Sequence, residues 1–375
     1  MNREQLTRKI KKSLRRQGFR VEASRVFPPN DLSKDKIRKL HSMAADHKLT
    51  EAATGLRRHE EGLLRYIASG SEVDPVSIRP RLVEVRAGSV EELLFRYATL
   101  HWTVPVSSGY GRRVRFVVVD ESNGKLIGVI GLCDPVIALA GRDKWIGWTD
   151  SQRLSRLRHV MDAFVLGAVP PYSQMLFGKF VALLCASDEV RKVCYRKYHG
   201  TKSLISGKSF DGRVALITTM SALGRSSVYN RLSVGDRKVF VSVGFSRGSG
   251  EFHFSNGLYS DISAYAKRYC EPTYRRVAWG EGFRNRREVI RKCLKKLRLK
   301  VGWSYHGIER ECFVIPLADD SREFLRGERS RLRWRTQPAT DLYNWFKLRW
   351  LLPRVAWDAA YSTFNSENYR LWHRS

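Results

Sequence analysis

"GAVPPYSQMLFGKFVALL", residues 167–184, sets the end of an apolar run, two adjacent prolines and a second apolar run side by side. Proline fixes φ and has no N–H, so Pro170 and Pro171 close the strand "AFVLGAV" and open a turn. A helix from about 173 to 186 follows, with Gly178 and Lys179 in its first turns. A helix start leaves N–H groups unpaired and carries partial positive charge, so a strand–turn–helix of this form can hold a phosphate. Gln174, Gly178 and Lys179 are the candidate contacts, with a nucleotide or an acyl-CoA as possible cofactor. Phe180 after Gly178-Lys179 breaks the GxxxxGK[ST] pattern, and GxGxxG is not matched. The plain alternative is a proline-set turn with Gly178 placed for close helix–sheet packing.

Strands and helices alternate outward from this stretch. "RPRLVEVR" (79–86) is a short strand, and "SVEELLFRYATLHW" (89–102) a helix whose Ser89 and Glu92 fit a capping box. "RVRFVVVD" (113–120) and "KLIGVIGL" (125–132), joined by "ESNG", form a hairpin. A helix over 151–162 leads into the strand before the prolines. Beyond come the strand "GRVALITT" (212–219), a short helix "SSVYNRL" (226–232) and the strand "RKVFVSVGF" (237–245). This order predicts an α/β (α+β) mixed sheet flanked by helices over residues 79–262.

Both ends are basic. Residues 1–78 read as helices: "REQLTRKIKKSLRRQG" places Leu6, Ile10 and Leu14 on one face and stops at Gly18, and 33–49 and 51–70 make two more. In 263–375, Asn285 and Glu288 can cap a helix with an apolar stripe of Val289, Ile290, Cys293, Leu294 and Leu297. A Trp-rich tail, "NWFKLRWLLPRVAWDAAY" (344–361), is limited by Pro353.

Charge dominates the composition: 68 Lys+Arg against 37 Asp+Glu give +31 over 375 residues. Such a surplus favours polyanions, because each phosphate contact releases counterions. The predicted partner is nucleic acid, DNA first. Its predicted contacts are Arg8, Lys11, Lys12 and Arg15 in the first helix, Arg225 and Arg231 in the middle, Arg286, Arg287, Arg291, Lys292, Lys295 and Lys296 in the capped helix, and Arg333 and Arg335 beyond it. Trp334, Trp345 and Trp350 can stack on bases. No zinc finger, RRM or clear helix-turn-helix is present, so the expected contacts are to phosphate.

The six cysteines form no CxxC pair and the nine histidines no HExxH, so neither a metal site nor a disulfide framework is predicted. No stretch reads as a signal peptide or a membrane span, and the expected location is the cytoplasm. Two further stretches are candidates for chemistry. In "TTMSALGRSSVYNRL" (218–232), Tyr229 can act as a general acid, or it can be a buried ring beside a serine cap. In "RDKWIGW" (142–148), Asp143 stands between two cations beside two tryptophans, as a pocket wall or as a packed loop.

"SGYGRRVRFVVVD", "LIGVIGLCDPV", "RDKWIGW", "MDAFVLGAVPPYSQMLFGKFVALL" and "SALGRSSVYNRL" together resemble the DruA family of the Druantia anti-phage defence system, over about 80–300. The resemblance implies a bacterial cytoplasmic defence protein that works with a helicase-like partner and other subunits against phage DNA. The element order is also similar to the GNAT acyltransferase core. That likeness implies an acyl-CoA loop after the fourth strand and a tyrosine acid in the later helix, at Tyr229. The loop Gln174-Met-Leu-Phe-Gly178-Lys179 is one residue longer than the GNAT pattern. Three functions are open: a DNA-binding defence component, a group-transfer enzyme acting on a nucleobase or protein amine, and a scaffold for another defence subunit.

Overall fold

The computed structural model describes residues 1–202, 207, 209–273, 282–300 and 302–372. The chain is a mixed α/β fold around a seven-stranded sheet. The strands are β1 (Pro80–Glu84), β2 (Arg113–Asp120), β3 (Lys125–Cys133), β4 (Val160–Ala168), β5 (Leu216–Met220), β6 (Val241–Phe245) and β7 (Glu311–Pro316). Their order across the sheet is β6-β7-β5-β4-β3-β2-β1. Every neighbouring pair is antiparallel except β4 with β5.

The expected hairpin forms with Asp120 opposite Lys125. Asp120 is fully buried and ties the turn down, accepting from the backbone N–H groups of Arg79 and Ser122 and from the Tyr172 hydroxyl at 2.9 Å. Tyr172 therefore anchors the proline turn to the hairpin. That turn contains the cis peptide Pro170–Pro171. It runs to Leu176, whose φ of 65° cannot begin a helix, so α5 (Phe177–Leu184) starts four residues later than expected.

β4 pairs with β5 only from Val160 to Ala163, opposite Leu216 to Thr219. Past that point β4 keeps its ladder with β3 as far as Ala168, and the two parallel strands part.

Alternating side chains send each strand into two cores. Phe116, Val118, Met161, Ile217 and Phe313 face α5, α6 (Asp188–Tyr198) and α9 (Ala339–Phe346). On the other side, Val117, Val119, Val129 and Val165 meet α3 (Val90–Leu100), while Val160, Leu216 and Val314 meet α4 (Ala140–Ile146).

A third core is purely helical. Leu6, Ile10 and Leu14 of α1 (Arg3–Arg16) are fully buried with residues of α7 (Leu258–Tyr269) and α8 (Arg286–Lys296). Each such side chain contributes about 1.5–3 kcal/mol.

Several expectations are corrected. The helices expected over 33–49 and 51–70 are one helix, α2 (Lys34–Leu56), followed by a 3₁₀ turn and the short helix Glu60–Leu64. "SSVYNRL" is only a 3₁₀ turn at Tyr229–Arg231, with the Ser226 N–H and the Asn230 side chain held by the Glu311 carboxylate. The helix expected over 151–162 ends at Arg156, because β4 already begins at Val160. Pro353 does not end the last helix. A wider turn at Lys347–Leu351 accommodates the missing N–H, and the helix continues over Leu352–Trp357. The boundary expected at 262 does not separate the sheet from the C-terminal region, since β7 lies between β5 and β6.

Candidate functional site

The apolar stripes that bury α1 and α8 leave their other faces in water. Arg8, Lys11, Lys12 and Arg15 are exposed on α1, and Arg287, Arg291, Lys295 and Lys296 on α8. Arg3 donates to the Leu297 carbonyl at 3.3 Å and ties the start of one helix to the end of the other. Among the described residues, the ion pair found for these eight cations is a loose one, Arg287 with Glu251 at 3.9 Å.

The other two expected cations of α8 serve the fold. Arg286 lies 3.8 Å over the Tyr259 ring and donates to Ser255 Oγ at 3.0 Å, and burial lowers its pKa. Lys292 donates to the Glu271 carbonyl and stands 3.8 Å from Glu288. Arg335 is held by Asp319 at 2.8 Å, and Arg333 lies 3.6 Å from Asp320. Arg225 is exposed, and its charge helps hold the Glu311 carboxyl below the usual range.

The proline-turn candidates converge with cations from elsewhere. Burial, then the neighbouring charges of Arg231 and Arg349, push the Lys179 ammonium below the usual lysine range. Lys179 Nζ sits 4.8 Å over the Trp350 ring. Gln174 gives its carbonyl to Arg354 at 3.2 Å, and its side-chain oxygen is buried without a donor. Gly178 is not there for close packing: a Cβ at that position would meet nothing within 4 Å. Tyr229 packs on the α5 side of the sheet, stacked on Phe240 at 4.9 Å and edge-on to Phe313 at 5.3 Å. Burial raises its phenol above the ordinary tyrosine range.

Asp143 is a latch. Its carboxylate accepts from Arg142 at 2.8 Å, the Leu139 N–H at 3.1 Å and Trp148 Nε1 at 3.2 Å, with Arg153 at 3.5 Å. Arg142 is 0% exposed and also donates to the Val136 and Ile137 carbonyls. Asp143 thereby compensates a buried cation, and its acceptor sites are occupied.

Sequence reasoning missed Asp162. It lies on β4 opposite Thr218, which donates to it at 2.6 Å, where the parallel strands are about to part. Burial pushes its carboxyl up to about 6, against the pull of the Thr218 hydroxyl and the Arg142 charge. Gly109 and Gly111, both at positive φ, flank Tyr110 beside it. A Cβ at Gly111 would fall 2.0 Å from Asp134. The readable signal was an acid inside the apolar run "VMDAFVLGAV", where burial has to raise a carboxyl pKa.

A cavity of about 390 Å³ opens between α2 and α3, lined by Lys48, Arg96, Arg113 and Arg115 with Phe95 and Phe164. It contains none of the residues expected from sequence.

A family model described as Druantia protein DruA matches residues 31–327. The chain is 36% identical over 368 residues to the Druantia protein DruA of Escherichia coli (strain UMEA 4076-1), an overlap that covers 98% of this chain and 89% of that protein. No solved structure matches the chain.

Proposed function

This chain belongs to the DruA family of the Druantia anti-phage defence system, and from that premise we propose that it is a DNA-binding component of such a system. The observation that carries the reading is the pair of helices α1 and α8. They share one core and present eight exposed cations, of which Arg287 stands 3.9 Å from Glu251, while Lys9 beside them on α1 is paired with Asp261 at 2.5 Å. Like charges gathered on helices that share one core repel each other, and a polyanion relieves that repulsion while releasing its counterions. The contacts are to the phosphate backbone. Other subunits of the system, a helicase-like protein among them, are its expected partners. Titrating the purified chain into labelled duplex DNA across a salt series tests the reading. Affinity that falls steeply with salt supports it, and no binding at low salt overturns it.

The second reading, a GNAT-like group-transfer enzyme, is favoured by Asp162. A carboxyl with a pKa raised to about 6, where β4 and β5 part, is suited to accept a proton from an amine near neutral pH. The expected donor is acyl-CoA. Equilibrium dialysis of acetyl-CoA against the chain decides it, and an absence of binding removes the reading.

A further inference from the structure

Trp357 is 79% exposed, more open than any other large apolar side chain among the described residues. Nothing in the core requires a tryptophan there. Its neighbour Arg354 lies 5.0 Å over the ring, while donating to the Gln174 carbonyl and pairing with Asp358 at 2.5 Å. Two turns earlier, Trp350 carries Lys179 over its face. The C-terminal helix thus runs along the proline turn, with cations and aromatic rings alternating on its near side.

The cations at its inner end have no carboxylate partner among the described residues. Lys179 Nζ lies over the ring of Trp350, whose helix neighbour Arg349 is exposed, and the charges of Arg349 and Arg231 press on the Lys179 ammonium; none of the three has an ion pair among the described residues. Crowded cations beside an open space at Gly178 are stabilised by an anion, and a phosphate suits several of them at once. An exposed indole about 12 Å further along the helix from Arg349 offers a stacking surface.

We propose that this face binds single-stranded DNA, with a phosphate among Lys179, Arg231 and Arg349 and a base stacked on Trp357. A duplex buries the faces of its bases in its own stack, so only an unpaired strand can use the indole. The proposal rests on the DNA reading above and deepens it: α1 and α8 grip the backbone, and this second face holds a separated strand.

The test is fluorescence anisotropy of the full chain with a labelled thymidine oligomer and, separately, a labelled duplex. Trp357→Ala is expected to weaken oligomer binding by about 5- to 150-fold, the range of one lost stacking contact. Duplex affinity and the melting curve should stay as they are. Trp357→Phe should recover most of the loss. Arg349→Gln should flatten the salt dependence of oligomer binding by about 0.7 in log–log slope. Unchanged oligomer affinity in Trp357→Ala, with duplex binding intact, overturns this proposal and leaves the DNA reading standing. Failure of the native chain to bind either nucleic acid overturns both.

Discussion

Replacing Arg291, Lys295 and Lys296 together by alanine is the sharpest test of the proposed DNA interface. All three are exposed on α8, and none has an ion pair among the described residues. Each phosphate contact contributes about −0.9 to the slope of log affinity against log salt. If each of the three meets a phosphate, the variant's slope is shallower by about 2.7. Between about 50 and 200 mM salt, the native chain then loses about 40-fold more affinity than the variant. The fold should not notice. Alanine is the better helix former, and substitutions on a solvated face usually stay within about 0.5 kcal/mol. Arg286→Ala is the control: it removes the stack on Tyr259 and the bond to Ser255, so it should lower the melting temperature without changing the slope. The assay is duplex anisotropy across a potassium chloride series, with a thermal melt of each variant. An unchanged slope in a triple variant that melts like the native chain would refute the assignment of α8 to the interface.

Buried charge supports two further predictions. His41, His101 and His306 have pKa values lowered to about 3, and His159 and His253 to about 4, in each case chiefly by burial. The unfolded chain therefore takes up protons first as pH drops below about 6.5, and stability that is full above that pH is lost at about 1.4 kcal/mol per pH unit for each histidine. Asp162, raised to about 6, acts in the opposite sense, since its contribution is lost as pH rises from about 4 to 6, but it is one group against five. The melting temperature should fall steeply below about pH 6.5, and a flat profile would contradict the burial of these rings. Asp143→Ala leaves the fully buried Arg142 without its carboxylate and should cost about 3–5 kcal/mol in chemical denaturation. Its DNA affinity below the transition should stay native, and a native denaturation midpoint would dismiss the latch.

Features legible in the sequence are those that neighbouring residues decide among themselves. The four-residue spacing of Leu6, Ile10 and Leu14 and the Asn285–Glu288 cap specify α1 and α8, because a helix is amphipathic at short range. Two runs rich in valine and isoleucine around Asn123-Gly124 specify the β2–β3 hairpin, because the turn sets the register locally. The charge that points to a polyanion is a sum and needs no fold.

The remaining features depend on partners distant in sequence. Glu311–Pro316 is a short apolar run in a basic region. It becomes a strand because β5 and β6 leave a place between them, and Glu311 then holds the Ser226 N–H and the Asn230 side chain. The tryptophans sort themselves the same way. Trp334 lies under Arg191, Trp345 bonds to the Ser233 carbonyl, Trp350 packs on the sheet core, and Trp357 alone of these is open to a ligand. Lys179, Arg231 and Arg349 lie far apart along the chain, and their charges act on one another only because β4, β5 and the C-terminal helix close around one core. Burial and charge crowding belong to the packed surface, and no local spacing of residues encodes them.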